Sequence, residues 1–131
     1  MKKAWIVLIV ILLLAGFLAG CGNNNGNSEL LILKNGETIS ENRCMGLDNY
    51  FVIYETGCPH CGKVLPRLDQ VEEDLGIEVI RYNLVVQEDF EKITQIWKIL
   101  PEGVPAVVIN CKIYLGSGYS IDDYKDAIQG N

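Results

Sequence analysis

The sequence predicts one α/β domain over residues 49–131, with elements ordered β-α-β-α-β-β-α around a mixed central sheet. Three observations predict it. Tyr50-Phe51-Val52-Ile53-Tyr54 is an unbroken apolar run of β-branched and aromatic residues, as expected of a strand buried on both faces. Apolar residues at 61, 64, 65, 68, 71 and 75 follow it at helical spacing. Two further strand-like runs, Val104 to Ile109 and Ile113 to Leu115, are separated only by Asn110-Cys111-Lys112, which makes them a hairpin.

The elements follow in chain order. A chain of 131 residues has room for one domain. Lys2 and Lys3 precede an uncharged stretch rich in Leu, Ile and Val from Ala4 to Ala19, the charged and apolar regions of an export signal. Residues 1–20 are therefore a signal segment. It ends in Leu18-Ala19-Gly20-Cys21, which resembles a lipobox, where lipid is attached to Cys21 and the chain is cleaved before it. The alternative is a single N-terminal transmembrane anchor, but Ala4 to Gly20 is shorter than the ~20 residues that span comfortably. Either reading holds the domain at the extracytoplasmic face of a cell membrane. Residues 21–29 then supply the lipidated cysteine and a tether, whose Gly22-Asn23-Asn24-Asn25-Gly26-Asn27-Ser28 contains no apolar side chain to bury. Residues 30–48 form an N-terminal extension of uncertain structure: a short apolar run at Leu30 to Leu33 and a turn signal at Asn35-Gly36 are its only clear features.

Within the domain, Thr56-Gly57 turns the chain out of the first strand and Gly76 stops the helix. Ile77 to Val86 reads as a second strand, parallel to the first through a right-handed crossover. Phe90, Ile93, Ile96, Trp97 and Leu100 define a second amphipathic helix, ended by Pro101. After the hairpin, Ser120 with Asp123 makes a capping-box start to a last helix, with Ile121, Tyr124 and Ile128 facing the core.

Charge excludes more than it assigns. The 11 basic residues include Lys2 and Lys3; without those two the chain keeps 9 basic against 17 acidic residues, a net charge of −8. Such a surface disfavours nucleic acid and anionic lipid. Of the five cysteines, four remain if Cys21 carries lipid, an even number in a compartment where disulfides persist.

The chemistry is concentrated at Cys58-Pro59-His60-Cys61. Pro59 fits the first helical position, which sets the Cys58 sulfur at a helix N-terminus among unpaired N–H groups. Thiolate is stabilised there, and thiolate is the attacking species. Cys61 lies one turn on, on the apolar face, as the more buried thiol that resolves a mixed disulfide. His60, the only histidine, can donate a hydrogen bond or positive charge to the Cys58 thiolate and so favour the reduced form, while Glu55 opposes it. The bland alternative for His60 is a solvated first-turn residue.

These residues resemble the thioredoxin superfamily over roughly residues 49–129. Cys58-Pro59-His60-Cys61 is similar to the motif of DsbA-type disulfide oxidases, Pro66 to the superfamily's helix-kinking proline, and Gly103-Val104-Pro105-Ala106 to its cis-proline loop. Asn110-Cys111-Lys112 resembles an Asn-Gly-Lys hairpin with Cys replacing Gly, and Gly116-Ser117-Gly118 resembles the glycine pair of glutaredoxins. The resemblance implies a thioredoxin-like fold and a thiol–disulfide oxidoreductase in which Cys58 and Cys61 form a redox-active disulfide. Pro59, Val104 and Pro105 would make the active-site loop, with no cofactor. It also implies protein thiols and disulfides as substrates, a membrane redox partner and a monomer, with the oxidase direction favoured over reductase. Three departures limit it. Only 19 residues (85–103) stand where DsbA carries a large helical insertion, Val52 stands where thioredoxins keep a buried acid, and Val104 and Glu55 replace the residues of a glutathione site.

In the thioredoxin-like arrangement the strand after Pro105 runs antiparallel to the first, which carries Cys111 to the pole where Cys44 enters. That juxtaposition suggests a structural disulfide between Cys44 and Cys111, two unrelated thiols being the alternative. Two other functions compete. A Cys-x-x-Cys with two further cysteines can hold zinc, or copper with His60, although Cys44 and Cys111 stand isolated in sequence. A non-catalytic binding domain on the same fold is the other.

Overall fold

The computed structural model describes residues 29–131. The predicted signal segment, Cys21 and all but the last residue of the predicted tether lie outside the described residues. Among the described residues no helix is long and apolar enough to cross a membrane.

The chain runs β1 (Leu31–Leu33), α1 (Glu41–Cys44), β2 (Tyr50–Tyr54), α2 (Pro59–Leu75), β3 (Ile80–Asn83) and α3 (Gln87–Glu91). A π-helical turn over Lys92–Ile96 then leads to β4 (Ile99–Pro101), β5 (Ala106–Ile109), β6 (Lys112–Leu115) and α4 (Ile121–Gln129). The fold is α/β. Its mixed four-stranded sheet has the order β3-β2-β5-β6, with β3 parallel to β2, and β5 and β6 each antiparallel to the strand before it in that order. A separate parallel pair joins β1 to β4.

Alternation along β2 divides the core. Phe51 and Ile53 point to one face with Leu33, Tyr82, Ile93, Ile99 and Val108; Val52 points to the other with Val64, Leu68, Val71, Val107 and Tyr124. Helices α2 and α4 cover the second face, where each helix supplies a buried stripe. Both helices begin and end as their residues require. Cys58 caps α2 with Pro59 next, and Gly76 closes it at φ 65°. Ser120 and Asp123 form a reciprocal capping box on α4.

Four sequence expectations change. The second strand is shorter than Ile77 to Val86, because pairing with β2 lasts only from Ile80 to Asn83. The predicted helix through Leu100 stops early. The Trp97 N–H donates to the Lys92 carbonyl, five residues back, which is one residue more than an α-turn. Ile96 is thereby turned outward, 72 % exposed, while Trp97 packs on Phe51 and Tyr82 with ring centroids 5.0 and 5.1 Å away. Lys98 at φ 55° then turns Leu100 into β4. The hairpin loop is two residues, Asn110 and Cys111, both at positive φ (48° and 67°), as a primed turn requires; Lys112 belongs to β6. Lastly, the extension 30–48 is ordered. Besides β1, its residues 36–39 run along the open edge of β6, with Gly36 N–H donating to Ile113 O and Ile39 N–H to Cys111 O.

Candidate active site

Three chain segments converge where β2 ends, β5 begins and β6 ends. Ile53 pairs with Ala106 and Ala106 with Leu115, so the turn after Tyr54, the loop before Ala106 and the loop after Leu115 are neighbours. Each is fixed by hydrogen bonds. The end of β3 holds the first turn: Asn83 Nδ2 donates to Thr56 Oγ1 at 2.7 Å, and the Thr56 N–H donates to Asn83 Oδ1 at 3.3 Å. Gly57, at φ 85°, then allows the reversal into α2. Gly116 N–H donates to Pro105 O at 2.8 Å, joining the other two loops.

Cys58 is half-buried at the N-cap of α2, and its sulfur accepts from the Cys61 N–H at 3.2 Å. The same sulfur lies 3.9 Å from the Val104 carbonyl oxygen, to which the thiol donates. Val104–Pro105 is a cis peptide bond, Pro105 is buried and Val104 half-buried. The structure thus brings together Cys58, Cys61, Pro59, Val104 and Pro105. Cys61 is only 2 % exposed. Burial pushes its thiol up to about 11, and a hydrogen bond with Cys58 adds to the rise, against a smaller opposing effect from the Glu55 backbone. Two thiols a turn apart, one reachable and one withheld from water, can attack a disulfide with the first sulfur and close a ring with the second.

His60 is exposed on the first turn of α2, and its partner is one that sequence reasoning missed. Nδ1 lies 2.9 Å from Ser117 Oγ, whereas the hydrogen bonds of the Cys58 sulfur go to Cys61 and Val104. The Ser117 loop is itself held to α2 by Arg67, whose Nη1 donates to both Ser117 O and Tyr119 O at 2.7 Å. The glycines around Ser117 were the only sequence signal there. Val52 is fully buried between the sheet and helices α2 and α4, so no acid stands behind the Cys58–Cys61 turn at that position.

Cys44 and Cys111 are joined in a disulfide at the opposite pole, with Cα atoms 5.7 Å apart and a sequence separation of 67. There Tyr50 pairs with Ile109, and Asn110 N–H donates to Asn49 O. Sulfurs bonded to each other are not metal ligands, so a four-cysteine zinc site is not formed. Among the described residues no group of three or more His, Cys, Asp or Glu side chains is arranged to hold a metal ion. Neither a scan against protein-family models nor a search of curated proteins finds a match to this chain.

Proposed function

We propose that this chain is a thioredoxin-like thiol–disulfide oxidoreductase, tethered to the extracytoplasmic face of a membrane through Cys21, that exchanges disulfides with protein substrates. The observation that carries this reading is the Cys58 sulfur. It caps a helix, is partly exposed, faces the carbonyl before a cis-proline at 3.9 Å, and has a buried thiol one turn behind it.

In the oxidase direction the cycle begins with a Cys58–Cys61 disulfide. A substrate thiolate attacks the Cys58 sulfur, the Cys58–Cys61 bond breaks, and the electron pair leaves on Cys61, which takes up a proton. A second substrate thiolate then attacks the substrate sulfur of the mixed disulfide. The substrate gains its disulfide and Cys58 leaves as thiolate, steadied by the helix N-terminus. The dithiol has accepted two electrons and must pass them to an electron-accepting partner at the membrane. The raised pKa of Cys61 suits its part, since a resolving thiol that stays protonated at neutral pH cannot compete as the entry point. Export, lipidation and the redox partner rest on the sequence of residues 1–21 and on the chemistry of the cycle.

Trapping tests the reading. In Cys61→Ser protein the Cys58 thiolate should attack substrate protein disulfides, one substrate sulfur leaving as thiolate, and accumulate mixed disulfides reversed by dithiothreitol, whereas Cys58→Ser should form none and lose exchange altogether. Adducts carried equally by Cys61 in the Cys58→Ser protein would overturn the assignment of roles.

A further inference from the structure

We infer that Ser117 is a positioning residue for the redox pair, acting through His60; this rests on the reading of Cys58 and Cys61 given above. A first-turn histidine beside water ordinarily samples several rotamers, and its charge is then screened from a nearby sulfur. Here the imidazole is tied. Nδ1 is 2.9 Å from Ser117 Oγ, and when the ring is protonated Nδ1–H donates to that oxygen; when it is neutral the hydroxyl can donate instead. The anchor is itself held by hydrogen bonds. Ser117 is half-buried, its carbonyl accepts from Arg67 at 2.7 Å, and the preceding Gly116 donates to Pro105 O at 2.8 Å.

A closed circuit results. From Cys58 it passes across 3.9 Å to Val104, along the chain to Pro105, across the sheet end to Gly116, and from Ser117 back to His60, two residues after Cys58. The bond to Ser117 Oγ therefore fixes the orientation of the imidazole on the first turn of α2, two residues from Cys58, where thiolate forms on reduction. A ring oriented there, donating a hydrogen bond or carrying positive charge, stabilises the thiolate and hence the reduced pair. The charged side chains nearest in the chain, Glu55 before Cys58 and Lys63 and Arg67 along α2, are unchanged by a Ser117 substitution, so its effect isolates the tether.

The test is a double-mutant cycle on the equilibrium constant of the Cys58–Cys61 pair with glutathione. Ser117→Ala should make the pair easier to oxidise by about threefold, which is about 15 mV on the scale where tenfold is about 30 mV. Ser117→Thr, which keeps the hydroxyl, should restore most of it. In a His60→Ala background, Ser117→Ala should change nothing further. An equilibrium constant unmoved by Ser117→Ala, or moved equally with and without His60, overturns the proposal. A second readout does not depend on redox chemistry. His60 is the only histidine, so its ring resonances are read directly by NMR; they should shift in Ser117→Ala, and unshifted resonances would also overturn the proposal. If the unaltered pair fails to equilibrate with glutathione at all, the oxidoreductase reading itself fails and this inference falls with it. A normal equilibrium in the parent with no Ser117 effect defeats this inference alone.

Discussion

Replacing Cys44 and Cys111 together by alanine removes the one covalent link between the N-terminal segment and the β5–β6 turn. The residues are 67 apart, and a cross-link closing a loop of that size restricts the unfolded chain by roughly 4 kcal/mol on the chain-entropy estimate. Little on the native side offsets the loss. Ile39 N–H to Cys111 O and Asn110 N–H to Asn49 O keep the segment near the turn, but each such bond contributes only about 1 kcal/mol net. Typical domains are stable by about 5–15 kcal/mol, so the double variant should lose a large share. The assay is urea unfolding followed by circular dichroism, in a Cys58→Ser/Cys61→Ser background where no other pair can bond. A loss of roughly 3–5 kcal/mol is expected. A loss under ~1 kcal/mol would refute the reasoning. In the parent background, exchange by the folded double variant should survive, because the disulfide sits at the pole of the sheet away from Cys58.

Further outcomes concern the dithiol. At neutral pH iodoacetamide should label Cys58 first, and Cys61 should remain protected in folded, reduced protein, as mass mapping will report; Cys61 labelling first would reverse the roles. Because burial holds the Cys61 thiol protonated up to about 11, above the ~8.5 of an unfolded thiol, its stabilising contribution is full below the unfolded value. That contribution is lost as pH rises through the folded one, so reduced protein should lose more stability between about pH 8.5 and 11 than Cys61→Ala does. Equal losses would mean that Cys61 is not the group responsible. His60→Ala should lower the reduction potential by tens of millivolts, about 30 mV corresponding to ~1.4 kcal/mol, and an unchanged potential would leave His60 a solvated bystander.

What could be read from sequence was whatever local rules govern. The Tyr50–Tyr54 run, the apolar stripe from Cys61 to Val71, Pro59 at the helix start, Gly76 at its end and the Ser120–Asp123 box all state their structure within a few residues. So did the turn after Ile109, although Cys111 occupies a left-handed position that glycine takes more readily. Pairings set at long range left no local mark. Leu31–Leu33 finds β4 some 68 positions away, and residues 36–39 find β6 still farther along the chain. The stretch from Phe90 to Leu100 misled for a related reason. Its spacing is helical, but the π-helical turn adds a residue and throws Trp97 into the aromatic cluster with Phe51 and Tyr82. The Cys58–Cys61 pair was legible because a spacing of three residues is about one helical turn. Ser117 was not, since its bond to His60 joins residues 57 apart and neither residue type demands the other.

The central claim is that Cys58 and Cys61 form a reversible redox couple poised for oxidation. Its most direct test is the reduction potential of the pair, measured by mass spectrometry of protein equilibrated in graded glutathione buffers. A single two-electron transition confined to Cys58 and Cys61 is expected, at a potential more oxidising than about −200 mV and so well above the roughly −270 mV of thioredoxin. A transition at or below −270 mV would reverse the direction of the reaction, and the absence of any reversible transition would contradict the account.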